Sequence, residues 1–277
     1  MAVAGALWAA AAPAAARFET MEAVALDGLR SRRVVVRLPP EYDTEPSRRF
    51  PVLYVHDGQW AWREGYQIDR ALDALTRARR VEPHIVVAVD NTSDRRAEYA
   101  GAARTRGPSL ERYADLLARV VKPRVDATYR TRAGRADTAV IGYSLGALAS
   151  LFLARWHGDV FGRIGVCSPV IWRRREGALA ALRRGRLPVR MWIDVGTAEL
   201  PSSRAGSAAM VVDARALRRI AISRGMREGE DLGYREVAGA RHGEAELGAR
   251  IDEVLAFLLD PASAPRRARA IDRESGD

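Results

Sequence analysis

The residues best suited to chemistry lie in one short run, AVIGYSLGALAS, at positions 139–150. Ser144 has Gly142 two places before it and Gly146 two places after it. Between a strand and a helix, that spacing makes a nucleophile elbow, in which the serine backbone is strained and its neighbours crowd the main chain. Glycines on either side remove the side chains that would clash. The hydroxyl then attacks a carbonyl carbon, and the N–H of Leu145, which opens the following helix, can hold the developing oxyanion. A serine between two glycines of an ordinary loop does none of this, so the reading depends on the elements around it. A serine hydroxyl is also a weak nucleophile near neutral pH and needs a base.

The flanking elements fit. The β-branched, apolar runs 32–40, 51–57, 84–90, 137–143, 163–168, 189–196 and 232–239 predict strands. Helical spacing of apolar residues predicts helices over 67–80, 109–129, 145–156, 176–185, 209–225 and 245–260. Ser109 is the expected N-cap of the second of these, and Pro123 predicts a kink or break within it. Apolar strands alternating with helices imply an α/β chain with a mainly parallel central sheet covered by helices on both faces. Segments 32–40 and 51–57 have no helix between them, which suggests an antiparallel edge pair. No repeat and no interdomain linker is visible. Residues 17–260 therefore read as one domain, with a signal-like or flexible arm at 1–16 and a frayed polar tail at 261–277.

In an elbow of this kind the partners follow in the order nucleophile, acid, histidine. Only His157 and His242 come after Ser144. His157 ends the elbow helix and reads as a helix-terminal polar residue. His242 lies in a loop between the last strand and the last helix, at the edge of the sheet where Ser144 stands, and is the expected base. The acid belongs after the strand in MWIDVGTAEL, which offers Asp194 and Glu199. Strand residues project alternately to the two faces, so Asp194 should meet a covering helix, whereas Glu199 lies past Gly196 in the loop. Glu199 is favoured, with Asp194 kept open. A second oxyanion donor is expected from VHDGQ, through the N–H of Gly58 or Gln59. His56 and Asp57 would shape that loop, with His56 a minor candidate for the base.

Hydrophobic residues make up 48% and charged residues 29% of the 277, which excludes a disordered chain. Past the first residues, no apolar run is long enough to cross a bilayer. The net charge of +10 comes almost wholly from scattered arginines, Lys122 being the one lysine, so no nucleic-acid partner is expected. The single cysteine, Cys167, allows no intramolecular disulfide and reads as a buried, inert thiol. The histidines have no metal-ligand spacing, and no metal or other cofactor is implied. Residues 1–16 resemble the apolar and cleavage regions of an export signal but lack a basic start. The protein would be periplasmic or secreted if they are a signal remnant, and cytoplasmic otherwise.

The segments FPVLYVHDGQ, VAVDNTSDRRAEYAG, AVIGYSLGALASLFLARW, FGRIGVCSPVIW, DVGTAEL and GARHGEAEL resemble, in order, the putative esterase family of α/β-hydrolases. That family includes siderophore esterases of the enterobactin type, feruloyl and acetyl-xylan esterases, S-formylglutathione hydrolases and mycolyltransferases. The resemblance covers about residues 25–260 and is closest to the siderophore-esterase branch. It implies an α/β-hydrolase fold; the segment between the elbow helix and the acid holds only a strand, a loop and a helix before the next strand, so no separate lid domain is expected. It also implies a serine esterase with Ser144, Glu199 and His242 as triad, and the amides of Leu145 and the Gln59 loop as oxyanion hole. Ala147 departs from the pattern, where a second glycine is common. The expected partner is a small-molecule ester at an open cleft, with Trp60, Trp62, Trp172 and Tyr143 as lining candidates and Arg95 and Glu98 bracing the loop after 84–90. Two alternatives stay open: a catalytically weak hydrolase used for binding, and an acyltransferase working through the same acyl-enzyme.

Overall fold

The computed structural model describes residues 15–62, 64–101 and 108–261; the expectations for the arm and tail fall almost wholly outside them. The first half runs β1 (Arg17–Val24), β2 (Arg32–Leu38), α1 (Glu41–Thr44), β3 (Val52–His56), α2 (Ile68–Arg77), β4 (Ile85–Val89), α3 (Arg95–Ala100), α4 (Leu110–Asp115), α5 (Lys122–Thr128) and β5 (Thr138–Tyr143). The second half runs α6 (Leu145–Trp156), β6 (Arg163–Cys167), α7 (Arg175–Arg184), β7 (Arg190–Gly196), α8 (Arg204–Ser223), β8 (Leu232–Val237), α9 (Glu244–Gly248) and α10 (Ile251–Leu258).

The strands form one eight-stranded sheet in the order β1-β2-β4-β3-β5-β6-β7-β8. From β4 to β8 the pairing is parallel, while β2 runs antiparallel to both β1 and β4. The expected antiparallel pair of 32–40 with 51–57 is therefore corrected. β3 lies inside the sheet between β4 and β5, because every residue of Val52–His56 is buried. β2, whose Arg33 is exposed, takes the outer place. β1 carried no strand expectation; its charged, edge-facing sequence lacks the apolar run that marks the inner strands.

Inner strands are apolar throughout because both faces are covered. Val52, Tyr54, Val140, Ile164, Val166, Ile193 and Val195 pack into one core with α4 to α8. The alternate residues Leu53, Val55, Ala139, Ile141, Cys167 and Trp192 pack into the other with α2 and α10. Among the described residues no helix is long and apolar enough to cross a membrane.

Three helix expectations are refined. Pro123 neither breaks nor ends its helix: residues Leu116–Val121 widen into a π-helical turn just before it, which makes room for a ring that would otherwise strike the preceding turn. The helix expected at 209–225 begins earlier, at Arg204, where Ser203 caps it by accepting from Gly206 N–H at 3.0 Å. The closing helix is split between α9 and α10 at Ala249–Arg250, and Arg250 turns inward there. Among the described residues no separate lid is inserted between the strands.

Candidate active site

β5 ends at Tyr143 and α6 begins at Leu145, leaving Ser144 between them with φ 61° and ψ −119°. The glycines are needed here for close approach. A Cβ on Gly142 would lie 2.2 Å from the carbonyl of Gly146, and one on Gly146 would meet His56 Cβ at 3.3 Å and Asp57 Oδ2 at 3.4 Å. The elbow is anchored by Ser144 N–H donating to the Cys167 carbonyl at 3.0 Å.

His242 Nε2 is 2.8 Å from Ser144 Oγ, and its Nδ1 is 2.6 Å from Glu199 Oε2. Glu199 is fully buried, while the His242 side chain keeps a quarter of its surface exposed. Burial pushes the Glu199 carboxyl upward, but hydrogen bonds from His242, Ser168 Oγ and Gly196 N–H outweigh it and hold the group below its ordinary value. An ionised Glu199 accepts Nδ1–H, which leaves Nε2 with the lone pair that faces the serine proton. The His242 loop is pinned by its own N–H on the Glu199 carbonyl at 3.0 Å and by Gly243 N–H on the Tyr143 hydroxyl at 2.7 Å.

The rival acid is elsewhere. Asp194 is fully buried and accepts from Trp192 Nε1 at 2.7 Å and from Arg250 Nη2 at 2.9 Å. Two rival bases are also placed apart. His157 pairs with Asp115 at 3.1 Å. His56 is fully buried with Nδ1 2.8 Å from the Tyr113 hydroxyl, and burial lowers it to about 4, so it is neutral near pH 7. Cys167 is buried and its thiol is pushed well up by that burial, as expected of an inert side chain.

The loop after β3 borders the elbow. Asp57 takes a left-handed conformation, φ 56°, and opens a single 3₁₀ turn at Gly58–Trp60. A Cβ on Gly58 would lie 2.6 Å from the backbone of Ala88 and Val89, so only glycine lets this loop rest on the end of β4. Arg95 clamps the buried Asp57 carboxylate with two bonds of 2.6 and 2.7 Å, and Asn91 Nδ2 adds a third at 2.5 Å. Asn91 N–H donates to Gln59 Oε1 at 3.2 Å. Glu98 braces the same region from below through a buried two-point pair with Arg32, at 2.9 and 2.6 Å. The sequence assigns no role to Asn91, Ser168 or Arg250, since polar residues at such positions normally face solvent.

Arg95→Ala should cost about 2 kcal/mol, less than the roughly 3–5 kcal/mol of a fully buried pair, because Arg95 is partly exposed and Asn91 still serves Asp57. Urea midpoints check this. Unchanged stability would mean that Asn91 alone holds the loop.

Of the lining candidates, Trp60 and Trp172 are exposed at 43% and 48%. Trp62 packs edge-on against Phe18 of β1. Tyr143 is buried, with its ring 4.8 Å from that of His242. A concavity of about 550 Å³, lined by Arg37, Pro39, Leu72, Asp73 and His84 among others, lies at the opposite edge of the sheet and touches none of the triad. Among the described residues no group of three or more His, Cys, Asp or Glu could hold a metal ion.

An elbow serine, a histidine bonded to it and a buried glutamate behind, on this sheet order, define a serine hydrolase of the α/β-hydrolase fold. The family described as "Putative esterase" matches residues 29–252, and the chain belongs to it. It is 28% identical over 144 residues to the iron(III) salmochelin esterase of Escherichia coli O6:H1 (strain CFT073), a match covering 52% of this chain and 33% of that protein. It is also 23% identical over 180 residues to the uncharacterized protein YbbA of Bacillus subtilis (strain 168), covering 61% and 69%. The chain thus spans about a third of the length of the salmochelin esterase. Among solved structures it is similar to a ferulic acid esterase, with TM-score 0.67 and 16% identity over 88% of this chain and 98% of that one. It is also similar to the enterobactin esterase FES of Shigella flexneri, with TM-score 0.70 and 18% identity over 87% and 58%.

Proposed function

We propose that the protein hydrolyses a carboxylic ester through an acyl-enzyme on Ser144. The observation that carries this is the unbroken hydrogen-bond chain from Ser144 Oγ through His242 to the buried Glu199. His242 Nε2 takes the serine proton as Oγ attacks the ester carbonyl, and Glu199 stabilises the imidazolium. The oxyanion is met by Leu145 N–H at the start of α6 and by the N–H of Gly58 or Gln59 in the loop that Asp57 and Arg95 hold. The imidazolium returns its proton to the departing alkoxide. Water, deprotonated by the same histidine, then releases the acid and frees Ser144.

The exposed indoles of Trp60 and Trp172 stand on the loops that follow β3 and β6, at the edge of the sheet that carries the triad. They support a planar, aromatic acyl group, in keeping with the named substrates of the salmochelin, ferulic acid and enterobactin esterases. A panel of p-nitrophenyl acetate, feruloyl and acetyl sugars, and catecholate siderophore esters tests this. The expected result is turnover of the simple acetate with higher kcat/KM for the aromatic acyl esters. Higher kcat/KM for the acetyl esters would remove the aromatic preference. No turnover, together with no labelling of Ser144 by a fluorophosphonate, would overturn the esterase reading.

A further inference from the structure

The triad acid has a second side, turned away from His242, and a buried polar chain meets it there. Glu199 Oε1 accepts from Ser168 Oγ at 2.5 Å and from Gly196 N–H at 2.7 Å. Ser168 Oγ lies 2.8 Å from Arg250 Nη2, which also reaches Asp194 Oδ1 at 2.9 Å. Ser168, Asp194, Glu199 and Arg250 are all buried. They come from four places in the chain: the loop after β6, strand β7, the loop after β7, and the break between α9 and α10.

Chemistry fixes the direction of each bond. A guanidinium only donates and a carboxylate only accepts. Ser168 Oγ must therefore accept from Arg250 and give its single proton to Glu199. Oε1 is then engaged by two donors, and Oε2 is the oxygen turned to His242. Ser168 also has φ 43°, in the left-handed region where serine is disfavoured and glycine is at ease. The fold thus holds a strained backbone at the residue whose hydroxyl reaches the acid.

We infer that Ser168, aimed by the Arg250–Asp194 pair, is a positioning residue of the triad, fixing the Glu199 carboxylate so that Oε2 orients the His242 ring. It touches no substrate and acts through Glu199. The inference rests on the esterase reading above.

Ser168→Gly is the test, because glycine accepts this backbone and removes only the hydroxymethyl group. Thermal stability should be unchanged or slightly higher. Turnover should fall about tenfold with KM within about twofold, the scale of one hydrogen bond to a charged group. The low-field NMR resonance of the His242 Nδ1 proton should move or broaden. In a Glu199→Gln background the same change should add less than about twofold, because two residues that act as a unit are not additive. Wild-type kcat with an unmoved Nδ1 resonance would overturn the inference, as would a full tenfold loss added to that of Glu199→Gln. If Glu199→Gln itself leaves turnover intact, Glu199 is not the triad acid and the inference falls with it; if the wild type neither turns over an ester nor is labelled at Ser144, the esterase reading fails, while the Nδ1 resonance still decides whether Ser168 positions the ring.

Discussion

Ser144→Ala is expected to lower kcat on any accepted ester by a factor on the order of 10⁴–10⁶, with the fold retained. Ser144 Oγ is the atom that His242 Nε2 faces at 2.8 Å, and alanine has nothing to offer in its place. The backbone at φ 61° is held by the close approach of Gly142 to Gly146 and by the bond to Cys167, none of which involves the hydroxyl. His242→Ala should fall as far, and the double variant hardly further, because nucleophile and base act as a unit. His157→Ala, whose partner is Asp115, should keep nearly full turnover. Steady-state kinetics on the four variants and the wild type, with circular dichroism melts alongside, decide the matter. Near-wild-type turnover in Ser144→Ala would remove this serine from the mechanism.

Glu199→Gln should lower kcat by about 10³–10⁴. The reason is the proton inventory of the site. Ser168 Oγ and Gly196 N–H both donate to the inner oxygen, so the glutamine carbonyl must take that place and its NH₂ must face His242 Nδ1. The ring then carries its proton on Nε2 and cannot accept the one on Ser144. Asp194→Asn should behave differently. It leaves Arg250 buried without its charge partner, costing about 3 kcal/mol, while kcat drops no further than in Ser168→Gly. The pH dependence of stability tests Glu199 as well. The folded Glu199 carboxyl lies below its ordinary value of 4.5, so its contribution is complete above that value and is lost as pH falls through the lower, folded one. Glu199→Gln should therefore flatten the acid side of the stability curve, as urea titrations below about pH 5 would measure. Equal slopes in the two proteins would contradict a lowered carboxyl.

The sequence by itself determined what short-range pattern can encode. Apolar runs marked seven of the eight strands, because a sheet covered on both faces makes each inner strand apolar along its length. The elbow was legible because its strand, its two glycines and its helix are contiguous in the chain. The histidine followed from the order of elements. Even the choice of Glu199 over Asp194 rested on a local fact, the alternation of side chains along β7 and its end at Gly196.

What the tertiary structure decided are pairings between residues far apart in the chain. The outer place of β2 beside β4, with β3 drawn inside, depends on which strands find two covered faces. The approach of Glu199 to His242 depends on Gly196, whose missing Cβ lets the Ala240 carbonyl come within 2.3 Å of that position and lace the two loops together. Ser168 meets Arg250 across 82 residues, and only because the last helix breaks at that arginine. A buried hydrogen bond of this kind leaves no periodicity behind: its energy depends on distance, direction and burial, and those exist only once the chain has folded.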